Sequence, residues 1–307
     1  MKKRLLIYTI CIVFVFLCGK TSYAKLIWSK ETGWIDPDVM PKETHSQLFK
    51  YAITLIVNKE YVSAVGVLNK IIKDNPESEI GDEAQMKMAR VYYLLGDYKA
   101  AFNEYERLLG KDSGSRKLKE ILEKEFQVGI AQMKRDEKGA VKVFERIIEL
   151  NPLGFIAADA QVKIADCYYQ LSQFENAQNA YRRVLESYHT SEWVPYAQYR
   201  IPYCKLSNIR IQERNFELLD QSREGFEEYV ANNPQGKLVA SAEKIIEEID
   251  ITRAERDFKA GEFYLRQKRP GSGAIYFESV IKEFPDSEWA DLAREKLEWL
   301  RSIDAVK

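Results

Sequence analysis

The chain has 307 residues, 46% hydrophobic and 30% charged, a balance that buries a sizeable core under a solvated surface and excludes a disordered or fibrous polymer. A net charge of −1 excludes broad electrostatic capture of nucleic acid or anionic lipid. With only 15 Gly and 9 Pro against abundant Leu, Ala, Glu, Lys and Arg, the composition predicts an all-α fold.

The first segment is one to set aside before any fold reasoning. Lys2, Lys3 and Arg4 form a basic start, Leu5 to Gly19 an apolar run, and Ser22-Tyr-Ala24 a small-x-small ending, so residues 1–24 read as a secretory signal peptide cut after Ala24. The apolar run is short for a membrane span. Cys18 offers the alternative processing of a lipoprotein, with a lipid anchor, but Leu17 stands where that processing expects a small residue. Losing Lys2, Lys3, Arg4 and Lys20 takes the formal charge from −1 to −5. Cys167 and Cys204 then remain, at equivalent places on neighbouring first helices. Two buried thiols are expected there rather than a disulfide, because such helices sit too far apart.

Residues 25–42 have no helical period and contain Trp28, Gly33, Trp34, Pro37 and Pro41, which predicts an extended or irregular arm. Its tryptophans are expected to pack on the first repeat, with docking on a partner as the alternative.

Residues 43–235 fall into five helix pairs. In the first, Ala52, Ala64 and Pro76 follow at steps of 12; the second has Ala89 and Ala101, then Tyr105 and Leu109, with Gly114 turning the loop in place of the proline. The third has Val128, Ala140, Phe144, Ile148 and Pro152, and its first helix is expected to start late, after the charged run Arg116 to Glu125. The fourth has Ala165, Ala177, Tyr181 and Leu185. In the fifth, Pro202 falls where the others carry a small residue and predicts a kink, and about eight extra residues lie in Asn208 to Asn215. In residues 236–307, Lys237 to Arg269 predicts one unbroken helix near 50 Å long. Gly261, Gly273, Phe277 and Pro285 make a sixth pair, and Trp289, Ala293, Leu297 and Leu300 a capping helix.

The clearest duplication is Ala84–Leu109, which returns 76 residues later as Ala160–Leu185 with 12 of 26 positions identical. Small residues at a step of 12 allow two antiparallel helices to approach, and each pair leaves an apolar face for the next to cover. That pattern predicts a right-handed superhelix of helix hairpins with first helices on the concave side.

The set Ala89, Tyr92, Ala101, Tyr105, with Ala52, Ala64, Leu68, Pro76, resembles the tetratricopeptide repeat, so the fold implied is a tetratricopeptide-repeat superhelical solenoid over residues 43 to 302. That motif is specific for fold and weak for function. A narrower resemblance rests on Leu26-Ile-Trp-Ser-Lys-Glu-Thr-Gly-Trp34, on the spacer Asn75-Pro-Glu-Ser78 echoed by Phe284-Pro-Asp-Ser287, and on the block Ala260-Gly-Glu-Phe-Tyr264 with Gly273 to Ala290. These look like the outer-membrane assembly lipoprotein BamD and its relatives. The resemblance implies a periplasmic component of the β-barrel assembly machinery that contacts the POTRA domains of BamA and helps to receive unfolded barrel proteins. The chain departs from the family at the lipobox around Cys18.

Chemistry is sparse. His45 and His189 lie near predicted helix ends with no metal-ligand spacing, and no Lys-Ser or Lys-Thr follows Pro270-Gly-Ser-Gly273 as a phosphate cradle requires, so no metal or cofactor is expected. No nucleophile, base and orienter set stands out, and the chain reads as non-enzymatic. The candidate site is the concave groove. Met86, Arg90 and Tyr93, then Val162, Asp166 and Tyr169, then Tyr196, Tyr199 and Tyr203 point there, one turn from the buried small positions, whereas Tyr92 and Tyr168 are expected to pack. Tyrosine-rich concave surfaces suit peptide binding. The function expected is a periplasmic scaffold of outer-membrane protein assembly. A Tol-Pal-type envelope coordinator is the alternative, although no heptad run precedes Glu43, and an accessory domain of cell-wall hydrolysis is the remote one.

Overall fold

The structure, a computed structural model, describes residues 27–29, 33–35, 45–111, 115–209 and 216–303. The expected signal peptide of residues 1–24 with Cys18, the expected turn at Gly114 and most of the insertion before the fifth second helix lie outside the described residues. The arm contributes two short strands, β1 (Ile27–Ser29) and β2 (Gly33–Ile35), paired antiparallel with Trp28 opposite Trp34. β1 runs beside the second helix of the first pair.

Thirteen helices follow among the described residues. The first two pairs are α1 (His45–Val57) with α2 (Tyr61–Asp74), and α3 (Glu79–Leu95) with α4 (Tyr98–Lys111). Then come α5 (Ser115–Gln132) and α6 (Glu137–Leu150), α7 (Ala157–Gln170) and α8 (Phe174–Ser187), and α9 (Val194–Ile209) and α10 (Phe216–Asn232). The series ends with α11 (Val239–Arg266), α12 (Pro270–Glu283) and the capping helix α13 (Glu288–Ser302). This is the all-α tetratricopeptide-repeat solenoid that the spacing implies.

The chain divides into two compact units, residues 1–128 and 129–307. In the first, Ala52, Ala64, Ala84, Ala89 and Ala101 have no exposed surface, and Leu55, Leu68, Ile71 and Met88 fill the space around them. In the second, Ala140, Ala165 and Ala177 are equally buried. One aromatic core there holds Tyr199, Phe226 and Tyr229, and another Phe258 and Phe277 with Trp289 against them. Burying these rings and aliphatic chains, not hydrogen bonding, drives the stacking. Glycine permits two of the closest approaches, since a Cβ on Gly129 would stand 2.6 Å from the Phe144 ring and one on Gly261 2.7 Å from Phe277.

Polar locks recur at equivalent places. Gln85 Nε2 donates to the Glu104 carbonyl at 3.4 Å, and its echo Gln161 donates to the Ala180 carbonyl at 2.9 Å, tying first helix to second. The echoed spacers cap helices in the same way: Ser78 accepts from Gly81 N–H and donates to the Asn75 carbonyl, while Ser287 accepts from Ala290 N–H and donates to the Phe284 carbonyl.

Two expectations change. The helix of the third pair does not start late; α5 begins at Ser115 and takes in the charged run, because Ile121, Leu122, Glu125 and Val128 within it share one buried face. The long helix is 28 residues, about 42 Å, rather than near 50 Å, because Gly236 N–H turns back to Asn233 before it and Lys268 takes a left-handed backbone after it. Pro202 lies inside α9, which continues past it to Ile209. Opposite it α10 carries Gly225, where a Cβ would stand 2.8 Å from the proline ring, so the missing side chain leaves room for the ring.

Candidate partner-binding surface

The second unit brings five of the seven candidate residues together, around one that the spacing did not pick out. Asp166 and Tyr169 stand on α7, Tyr196, Tyr199 and Tyr203 on α9, and Tyr181 reaches them from α8. At their centre is Arg200 of α9. Its guanidinium lies 4.0 Å from the centre of the Tyr169 ring, 5.3 Å from Tyr203, 5.5 Å from Tyr181 and 5.8 Å from Tyr196. Such cation–π contacts strengthen when the pair is desolvated.

The hydroxyl groups order the cluster. Arg200 Nε donates to Tyr181 Oη at 3.0 Å, and Tyr181 donates in turn to Asp166 Oδ1 at 2.6 Å. Tyr196 Oη donates to the same oxygen at 3.1 Å, and Lys163 Nζ pairs with Asp166 Oδ2 at 2.8 Å. Burial first, and then the Asp166 carboxylate, push the Tyr181 and Tyr196 phenols up, so both remain hydrogen donors at neutral pH. For Arg200 burial works against the charge, and the Tyr181 hydroxyl, accepting from Nε, offsets part of that cost.

At the rim, Trp193 Nε1 donates to Asp159 Oδ1 at 3.0 Å and its ring meets Tyr196 edge-on at 5.8 Å. Beyond Trp193 and Tyr196 opens a cavity of about 830 Å³, walled by Pro195, Pro234 and Leu238. Tyr169 Oη and Ser207 Oγ lie 2.9 Å apart, and the Tyr169 ring packs on Tyr203 at 5.9 Å.

Not every expected groove residue is on the surface. Tyr199 is only 9% exposed; its ring meets Phe226 at 5.4 Å and Tyr229 at 5.6 Å, so α10 claims it for the core. Val162 is wholly buried. Arg90 and Tyr93 belong to the first unit, where Arg90 is exposed and the half-buried Tyr93 ring lies 5.7 Å from Tyr98. The signal that pointed to Arg200 was present in the sequence as one arginine set among Tyr196, Tyr199 and Tyr203, two residues before the misplaced proline.

Cys167 and Cys204 are free and buried, and desolvation pushes both thiols up to about 12. Among the described residues no group of three or more His, Cys, Asp or Glu is placed to hold a metal ion, and no helix is long and apolar enough to cross a membrane.

A family model described as YfiO, outer membrane lipoprotein, matches residues 123–303, more than half of the chain. The chain belongs to the YfiO family. A tetratricopeptide-repeat model matches residues 83–115. The YfiO span holds the whole Arg200 cluster, whereas Arg90 and Tyr93 lie in the stretch that the repeat model matches. Among curated proteins, the TPR repeat-containing protein MJ1428 of Methanocaldococcus jannaschii is 26% identical over 139 residues, 44% of this chain and 22% of that protein. This YfiO-family chain thus spans about a fifth of the length of that relative. Among solved structures, MamA is similar at 18% identity over 64% of this chain and 94% of its own, with a TM-score of 0.40. YrrB, described as a TPR protein with an unusual peptide-binding site, matches at 17% identity over 74% and 97%, with a TM-score of 0.33. A YfiO-family solenoid of this kind is a protein-binding scaffold.

Proposed function

We propose that this chain is a non-enzymatic, periplasmic scaffold associated with the outer membrane, a BamD-like component of the machinery that assembles β-barrel proteins. In this reading it is exported by the segment 1–24, binds the POTRA domains of a BamA-like barrel protein, and receives extended segments of unfolded outer-membrane proteins. The observation that carries the reading is the YfiO model lying over residues 123–303, the span that also holds the Asp166, Tyr169, Tyr196, Tyr203 and Arg200 surface. An aromatic surface with an ordered hydrogen-bond network suits a polypeptide partner, because rings supply contact area at small entropic cost. Arg90 and Tyr93 offer a second, separate polar and aromatic patch in the first unit.

The test is affinity isolation of the tagged chain from envelopes of its own cells, followed by mass spectrometry. A BamA-like barrel protein is expected in the eluate, with the bait starting at Lys25, or at a lipid-bearing Cys18 if the lipoprotein route is used. An eluate without a barrel protein sinks the assembly role and leaves the scaffold.

A further inference from the structure

Among the described residues, Arg200 is a charged group without an ion pair. It is half-buried, and tyrosine rings surround it. Its Nε–H is satisfied by Tyr181, but the four Nη hydrogens meet no acceptor and no ion pair among the described residues. The obvious candidate, Asp166, is already taken: Oδ1 accepts from Tyr181 and Tyr196, and Oδ2 from Lys163. The Tyr181 hydroxyl is interposed between carboxylate and guanidinium, donating to one and accepting from the other.

A partly buried cation held by rings and one hydroxyl but by no ion pair gains from an anion that supplies the missing charge. The flat guanidinium presents paired hydrogens that match the two oxygens of a carboxylate, and the surrounding rings fix its orientation before any ligand arrives. We propose that Arg200 is a docking point for a carboxylate of a partner protein, an Asp or Glu side chain held two-pronged in the tyrosine cage. A carboxylate is favoured over a phosphate because Asp166, one hydroxyl away, repels a dianion more than a monoanion. Calling the partner a protein rests on the scaffold reading; the carboxylate preference stands apart from it and is tested without any partner.

The probe is N-acetyl-glutamic acid α-amide, titrated into the whole protein with ¹³C-labelled tyrosine rings, the Tyr169 and Tyr203 signals being assigned by their loss in Tyr169→Phe and Tyr203→Phe. Saturable shifts of those signals are expected, with at least about tenfold weaker binding of the matched glutamine compound, of inorganic phosphate, and of the glutamate probe to Arg200→Gln. Arg200→Lys keeps the charge without the fork and is expected to bind several-fold more weakly than the native chain. Melting curves of both variants establish that they fold; if Arg200→Gln does not, Arg200→Lys decides. Equal binding of the glutamate and glutamine compounds, stronger binding of phosphate, undiminished binding by the variants, or no shift at all overturns the proposal. None of these outcomes bears on whether a BamA-like protein is captured, so the two readings fail separately.

Discussion

The duplicated segments place the same tyrosine between opposite charges in opposite order. In the first copy Tyr105, 3% exposed, lies near Arg90 of its own first helix and near Glu125 of the next. In the second copy Tyr181, wholly buried, has Asp166 on its own first helix and Arg200 on the next. The phenol is in the frame that both copies share; the charges on either side are exchanged. Both hydroxyls are held protonated, Tyr105 pushed up to about 12 by burial with Glu125 and Glu120 adding to it and Arg90 opposing, Tyr181 raised by burial and Asp166. The two copies therefore share a packing solution and differ in the charges set around it.

The largest expected difference between the copies is in alkaline solution. Val91 of the first copy is replaced by Cys167 in the second, and both are fully buried. The thiol is raised from 9.0 to about 12 by burial, with Asp166 adding to it. Between those values the folded chain keeps the proton and the unfolded chain releases it, so stability is complete below about pH 9 and falls as pH rises toward 12. Cys167→Val, which copies the first segment, is expected to remove about 2 kcal/mol of the loss seen by pH 10.5. Urea denaturation of both proteins at pH 7.5 and pH 10.5 measures it; parallel losses would mean that the thiol titrates alike in both states.

Removing the shared phenol oxygen probes the exchanged charges directly. Tyr181→Phe breaks the bonds to Asp166 and Arg200, two charged groups that stay behind, and is expected to cost about 2 kcal/mol. Tyr105 makes no hydrogen bond through its hydroxyl among the described residues, so Tyr105→Phe is expected to stay within about 0.5 kcal/mol. Thermal melting of the pair at pH 7 reads the difference. Equal costs would show that the hydroxyl network of the second copy carries no more weight than the bare phenol of the first.

What the sequence revealed and what it hid separate along the same line. Alanines at steps of 12 are dictated by backbone approach within one hairpin, a local constraint, and Ala52, Ala64, Ala165 and Ala177 stand where that constraint puts them. The Arg200 cluster depends on residues 166, 181 and 200, which belong to three helices and meet only after stacking. The place of Tyr199 on α9, one turn from the small position, points to the groove; Pro202 holds that small position, and Phe226 and Tyr229 of α10 close over the Tyr199 ring. The charged run from Arg116 hid a helix for a different reason, since four buried positions carry its period against a majority of polar ones.

The smallest contrast is at the turn that joins the two helices of each copy. Gly96 ends α3 with φ of 77°, and in the second copy Ser172 takes the same place with φ of 58°. Lys59 and Lys268 hold that conformation in the first and sixth pairs, so the geometry belongs to the repeat and not to glycine. A side chain in the left-handed region costs about 1–2 kcal/mol through its Cβ, whereas glycine loosens the unfolded chain by about 0.4–1 kcal/mol. Ser172→Gly is therefore expected to raise stability by about 0.5 kcal/mol, and Gly96→Ser to lower it by a similar amount. Urea midpoints with unchanged slopes measure both. If Ser172→Gly gained nothing while Gly96→Ser cost the full amount, the second turn would owe its conformation to its neighbours, and the α7 to α8 hairpin would be held by the tyrosine cluster above it rather than by its own backbone.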